Sequence, residues 1–149
     1  MVTQQQITDF LANNPIAMAG VSRNPKKFGF TAFKELRGKD LNLVPINPKA
    51  DDIDGVKVYQ SVEELPDEIK ALLIMTNKDQ TAAVVKSAKD KGIKHIWIQQ
   101  MSETPEALAV VKDTDINLIS KQCILMHYKP HSIHKFHGSI KKFFGRMPR

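Results

Sequence analysis

Residues 16–25, with the sequence IAMAGVSRNP, constrain the fold more than any other part of the chain. The residues before Gly20 are small or apolar and carry no charge, as in a strand buried on both faces of a parallel sheet. Gly20 permits a tight turn and a close approach of the backbone to a ligand. With a helix predicted over residues 30–37, the stretch fits either a phosphate site at a helix N-terminus or an ordinary strand-to-helix turn.

The rest of the chain alternates predicted strands with predicted helices. Thr3 and Gln6 form a capping box for a short N-terminal helix, and Ser61 and Glu64 form a second one for a helix stopped by Pro66. Asn77 and Thr104 are predicted to begin two further helices. Strands are predicted over residues 16–20, 41–46, 71–75, 93–98 and 116–119. This order predicts an α/β fold, with a mostly parallel sheet and helices on both faces.

In such sheets a ligand binds beyond the carboxyl ends of the strands, where the strand order reverses. A dinucleotide site needs three glycines and an acid after the second strand. This chain has Gly20, then Ser22 in place of the next glycine, and it has Asn47-Pro48-Lys49 after the second strand. The pattern disfavours NAD and suits a ribose that carries a phosphate. Arg23, Lys26 and Lys27 follow the first turn and either face a pyrophosphate or are simply solvated.

Charge is distributed unevenly along the 149 residues. The net charge is +6, yet residues 121–149 contain seven basic residues and no acid, so the remainder has a net charge of −1. No apolar run approaches the roughly 20 residues that span a bilayer. The polar N-terminus does not resemble a secretory signal, and the single cysteine excludes an internal disulfide framework. We therefore expect a cytoplasmic protein.

The basic segment is predicted to be a separate unit, with a domain over residues 1–128 and a helical tail over 129–149. Two patterns overlap in the tail. An apolar stripe indicates an amphipathic helix over residues 130–144, packed on the domain, a second subunit or a partner protein. A metal site and a contact with nucleic acid are the alternatives. The stripe comprises Ile133, Phe136, Ile140 and Phe143, and the histidines that suggest a metal are His127, His131, His134 and His137.

Four short motifs, in this order, resemble the stand-alone coenzyme A-binding family, which is similar to the N-terminal domain of the succinyl-CoA synthetase α subunit. They are Gly20-Val21-Ser22 with Asn24-Pro25, then Ile46-Asn47-Pro48, Trp97-Ile98-Gln99 and Cys123-Ile124. The resemblance covers residues 15–126 and implies a Rossmann-like three-layer fold that holds the ADP part of coenzyme A. By position, residues 20–22 would hold phosphate and residues 47–49 would lie near the adenosine ribose. Met101 departs from the glycine common at its position.

These observations predict a non-catalytic module that binds, carries or senses coenzyme A or an acyl-CoA. The alternatives are a component of a split acyl-CoA ligase and a nucleotide-responsive regulator that contacts nucleic acid through the tail. The resemblance implies that a ligase of this group also needs a phosphohistidine domain and a grasp domain, for which 149 residues leave no room. No catalytic or metal-binding residues are predicted. The predicted ligand-binding residues are Gly20, Val21, Ser22, Arg23, Asn24, Lys26, Asn47, Pro48, Lys49, Thr76, Asn77 and Gln99.

Overall fold

The computed structural model describes residues 1–129. Residues 130–149 lie outside the described residues, and with them lies the predicted tail helix with its apolar stripe. None of the helices in the described part is long and apolar enough to cross a membrane.

Four helices and seven strands alternate along this part of the chain. In chain order they are α1 (Gln4–Leu11), β1 (Ile16–Ala19), α2 (Phe28–Gly38), β2 (Leu43–Ile46), β3 (Asp52–Ile53), β4 (Val56–Lys57), β5 (Ala71–Ile74), α3 (Lys78–Lys91), β6 (His95–Gln99), α4 (Pro105–Val110) and β7 (Asn117–Gln122). Short 3-10 helices cover Val62–Glu64 and Ile124–Met126.

Five of these strands form one parallel sheet, in the order β2-β1-β5-β6-β7. The chain leaves β1 first toward β2 on one side and later toward β5 on the other. The strand order therefore reverses at β1, which creates the crevice where doubly wound sheets bind ligands. Strands β3 and β4 form a separate antiparallel hairpin between β2 and β5.

The helices cover both faces of the sheet, because successive strand side chains point to opposite sides. Met18, Leu73 and Trp97 pack into the core with α1 and α2. Their neighbours, such as Ala17 and Leu72, pack into a second core with α3 and α4. The α/β, Rossmann-like three-layer fold is thus confirmed.

The N-terminal helix begins as predicted. Thr3 Oγ1 accepts a hydrogen bond from the Gln6 amide at 3.1 Å, and Gln6 Oε1 accepts one from the Thr3 amide at 2.9 Å. Gln6 Nε2 also donates to the carbonyl of Leu118 in β7 at 3.0 Å. Phe10 is fully buried, and its ring meets the edge of Trp97 with the centroids 5.3 Å apart. The helix is therefore joined to the sheet by polar and aromatic contacts.

Three local predictions were wrong. The helix predicted over residues 30–37 is longer in the structure, where α2 begins at Phe28 and ends at Gly38. Ser61 makes no capping hydrogen bond, and its segment forms a single 3-10 turn. The second strand was predicted to begin at residue 41, whereas β2 begins at Leu43, and Pro45 pairs with Met18 within it. Strand β2 is at the edge of the sheet, where a missing N–H is tolerated.

We predict that Phe10→Ala lowers the free energy of unfolding by about 3–5 kcal/mol, because it removes a fully buried ring and leaves a cavity against Trp97. Urea unfolding followed by circular dichroism measures the change. Phe10→Leu, which keeps most of the volume, is the control and should lose much less. Equal losses for the two variants would contradict the packing assigned to α1.

Candidate functional site

A cleft of about 860 Å³ opens at the carboxyl ends of β1, β2 and β5. It lies at the reversal of strand order, and its volume is within the range of about 300–1,000 Å³ typical of small-molecule sites. The cleft extends over the top of the sheet from the start of α2 to the groove between the 3-10 turn Val62–Glu64 and α3. Eight of the predicted residues line it: Gly20, Val21, Ser22, Asn47, Pro48, Lys49, Thr76 and Asn77.

Gly20 forms the turn at the centre of the cleft. Its φ angle is +90°, in the left-handed region that favours glycine. A Cβ atom at this position would overlap the carbonyl group of Met75, which directly follows β5. We therefore expect Gly20→Val to disturb the fold as well as the cleft, since the side chain would push apart two neighbouring strands.

The start of α2 packs directly on this turn at Gly29. A Cβ atom on Gly29 would overlap the carbonyl oxygen of Gly20, so only glycine lets the helix come this close. The first amides of a helix have no partner within it and carry its partial positive charge. Phe28 and Gly29 supply these first amides, and both residues line the cleft. The arrangement can bind an anion such as a phosphate.

Side-chain hydrogen bonds fix the loop between Gly20 and α2. Ser22 Oγ accepts from the Asn24 amide, and Asn24 Oδ1 accepts from the Lys26 amide, each at 3.0 Å. The Ser22 hydroxyl hydrogen stays available to a ligand, because this contact uses only an oxygen lone pair. Arg23, Asn24 and Lys26 are exposed and are not among the residues that line the cleft. Lys27, which the sequence also suggested, does line it.

Asn47 connects the two loops that follow β1 and β2. Its Nδ2 donates to the carbonyl of Val21 at 2.8 Å, and its Oδ1 accepts from the Lys49 amide at 2.7 Å. The second contact holds the turn in which Lys49 is exposed at the cleft. Asn47 thus positions the turn after β1 and the lysine relative to each other.

The third side of the cleft is built after β5. Thr76 is buried, with its Oγ1 2.8 Å from Thr81 Oγ1, and its carbonyl accepts from Ser102 Oγ at 2.9 Å. Asn77 is the N-cap residue of α3, as predicted, but its side chain makes no capping hydrogen bond. Gln99 lies apart from the residues that line the cleft. It is buried, and its Oε1 accepts from the Ile124 amide at 3.0 Å.

Charges divide the cleft. Lys27 and Lys49 lie beside the loops that follow β1 and β2, whereas Glu63 and Asp79 lie on the α3 side. Hydrogen bonds from the backbone N–H of Glu63 and from the Ser87 hydroxyl hold the pKa of the Glu63 carboxyl below its usual value. Neither Gly29 nor Glu63 was predicted from the sequence to line the cleft. The sequence did contain a signal for the role of Gly29. In phosphate-binding folds, a glycine at the start of the helix after the loop permits close helix–strand packing.

The fold and this site define a doubly wound α/β domain with a glycine turn at the switch point, where an anion can bind. The family described as the CoA binding domain matches residues 14–129, and the chain belongs to this family. The resemblance noted from the short motifs is thereby confirmed. Within residues 1–129, no three His, Cys, Asp or Glu side chains are grouped to hold a metal.

Three relatives show how far the similarity extends. The α subunit of an ADP-forming acetate–CoA ligase II from Pyrococcus furiosus is 34% identical over 84 residues, which is 56% of this chain and 18% of that protein. The uncharacterized protein YneT from Bacillus subtilis is 25% identical over 109 residues, 73% of this chain and 81% of that protein. A solved structure of a conserved hypothetical protein from Pyrococcus furiosus is 30% identical with a TM-score of 0.73, covering 77% of this chain and 99% of its own. The chain therefore spans about a fifth of the ligase subunit and most of the other two.

Two glycines of α2 provide a test of the close packing at the cleft. We predict that Gly29→Ala destabilises the protein, because its Cβ would overlap the Gly20 carbonyl. Gly38→Ala, in the same helix with no atom near its Cβ, should instead stabilise the protein by roughly 0.5–1 kcal/mol. Thermal unfolding of the two variants measures both the expected decrease and the expected increase in stability. A Gly29→Ala protein as stable as the parent would exclude the tight contact.

Proposed function

We propose that this protein binds coenzyme A or an acyl-CoA in the cleft and acts as a non-catalytic binding, carrier or sensor module. One observation supports this most directly. An anion-binding turn, closed by Gly20 and Gly29, lies beside an exposed Lys49 at the end of β2, where a dinucleotide site would have an acid. Membership of the CoA-binding family supports the same ligand.

The proposal gives each part of the ligand a position. The diphosphate lies on residues 20–22 and on the first amides of α2, with Lys27 nearby. The phosphorylated ribose lies against Asn47, Pro48 and Lys49. Thr76 and Asn77 form the opposite wall. Lysine suits the ribose phosphate because an ammonium group binds phosphate as a point charge, whereas a carboxylate would repel it.

The proposal assigns no catalytic role. Cys123, the single cysteine, is buried just after β7 and is not among the residues that line the cleft. The α-subunit name of the Pyrococcus ligase suggests that a partner protein receives the ligand, and we include such a partner, or a second copy of the chain, in the proposal. The ligase reaction is not carried over, since the similarity covers only 18% of that subunit. We place the protein in the cytoplasm, where coenzyme A is used.

A panel of ligands tests the proposal. We predict that coenzyme A and acetyl-CoA raise the melting temperature, because a ligand that binds only the folded state stabilises it by mass action. NAD, NADP and ATP, each at the same concentration, should raise it less. A larger shift with NAD than with coenzyme A would overturn the ligand assignment, and no shift with either CoA compound at saturating concentrations would overturn the proposed function.

Lys49 tests the position of the ribose phosphate. Loss of one charge-assisted contact costs on the order of 1.5–3 kcal/mol, so we predict that Lys49→Glu weakens coenzyme A binding by at least about tenfold. Dephospho-coenzyme A, which lacks that phosphate, should be affected much less. Titration calorimetry measures both affinities.

Lys112→Glu is the matched control for this experiment. Lys112 is exposed beyond α4 and does not line the cleft, so this variant has the same net charge as Lys49→Glu without a change at the site. It should bind both ligands almost as the parent does. Equal losses in Lys49→Glu for coenzyme A and its dephospho form would show that Lys49 does not contact the ribose phosphate.

A further inference from the structure

The segment directly after β7 is fastened to the domain by hydrogen bonds that lie outside the cleft. We call residues 123–128 the tail root, because the chain continues from them into its basic tail. Ile124, within the root, is fully buried in the core that contains α1 and α2. Two sets of contacts lead from this root back to two different walls of the cleft.

The first set runs through Gln99, at the end of β6. Its Oε1 accepts a hydrogen bond from the Ile124 amide at 3.0 Å, and its carbonyl accepts one from the Ser102 amide at 2.9 Å. Ser102 Oγ in turn donates to the carbonyl of Thr76, which lines the cleft, at 2.9 Å. Gln99 and Ser102 are both buried. Since a shift of either would leave a buried polar group unpaired, the cleft wall and the root constrain each other.

The second set of contacts runs along α2. The Tyr128 hydroxyl donates to the carbonyl of Lys39 at 3.1 Å, and Lys39 is the C-cap residue of this helix. Phe28 and Gly29, at the other end of α2, line the cleft. Because a helix moves as a rigid element, the contact at its C-terminus bears on the position of its first amides.

Strained backbone flanks these hydrogen bonds. Met101, Lys121 and Lys129 have φ angles of +77°, +62° and +45°, in the left-handed region that residues other than glycine rarely adopt. Met101 lies between Gln99 and Ser102, and the two lysines lie on either side of the root. Such conformations persist only where surrounding contacts hold them, and they occur at switch regions. The position of the root therefore depends on its hydrogen bonds.

We propose that Gln99 is a positioning residue through which the cleft and the tail root stabilise each other, so that ligand binding fastens the root. This inference rests on the proposed function, because it takes coenzyme A as the ligand of the cleft. A ligand against Thr76 and the first amides of α2 restrains both walls to which the root is tied. Coupling between two sites is reciprocal, so a loosened root lowers the affinity of the cleft by the same factor. The ligand thereby sets how firmly the chain is held where its basic tail begins.

Titration calorimetry with coenzyme A tests the coupling on the full chain and three variants. Gln99→Met removes the acceptor for the Ile124 amide, and Tyr128→Phe removes only the hydroxyl that donates to Lys39. Each should bind coenzyme A at least about threefold more weakly, although neither position is among the described residues that line the cleft. Tyr59→Phe is the matched control, since it makes the same change at the other tyrosine of the chain, also outside that lining. It should bind as the parent does.

Hydrogen exchange provides a readout that a merely structural role would not change. In the parent, saturating coenzyme A should slow amide exchange in the tail root at least about fivefold more than in α4. Helix α4 is the internal reference for stabilisation of the whole domain, because it packs on the opposite face of the sheet and is not part of the cleft lining. In Gln99→Met this additional slowing should disappear.

The outcomes separate this inference from the function on which it rests. If the parent binds coenzyme A but Gln99→Met binds it equally well, or exchange in the root slows no more than in α4, the coupling is wrong and the proposed function stands. A lower melting temperature of Gln99→Met with unchanged affinity would likewise show that Gln99 only stabilises the fold. If Gln99→Met does not fold, the affinity of Tyr128→Phe and exchange in the parent decide. If the parent does not bind coenzyme A, both the proposed function and the coupling fail.

Discussion

The site depends on the close contact of three backbone segments around Gly20. One side of this glycine faces the carbonyl of Met75 after β5, and its own carbonyl faces Gly29 at the start of α2. No side chain fits at either glycine, so the strand and the helix meet through their main chains. This contact directs the unpaired amides of α2 toward the turn and makes the carboxyl end of β1 suitable for an anion.

The surrounding side chains hold this arrangement rather than create it. Asn47 joins the loops after β1 and β2 through hydrogen bonds of 2.8 and 2.7 Å. Thr76 is tied to α3 through Thr81 and to the loop after β6 through Ser102. Such a network of buried, hydrogen-bonded polar groups fixes loop geometry, because a buried polar group without a hydrogen bond would lower the stability of the fold. Lys27 and Lys49 remain at the surface of the cleft, where they can meet a charged ligand without a large desolvation cost.

The family match gives the site its chemical context. A fold by itself does not determine function, so the proposed ligand depends on the family membership and on the residues of these particular loops. Strand β2 leads into Asn47 and Lys49, and the α3 side of the cleft carries Glu63 and Asp79. The cleft thus has basic residues at the loops suited to phosphate and acidic residues on the α3 side. This division of charge is a property of the folded chain, because residues that are distant in sequence form each side.

The sequence by itself determined the order of strands and helices, the parallel sheet and the loops that form the cleft. Buried strands, capping residues and the Gly20 turn are local signals. The capping box of Thr3 and Gln6, for example, was predicted at the correct residues. Tertiary structure decided the rest. Gly29 acquires its role only when α2 lies against Gly20, and Gln99 belongs to the contact with Ile124 because β6 ends away from the cleft. Glu63 lines the cleft in a 3-10 turn that contacts α3, a segment distant in sequence. These roles arise from contacts between distant segments, which periodicity and capping patterns do not encode.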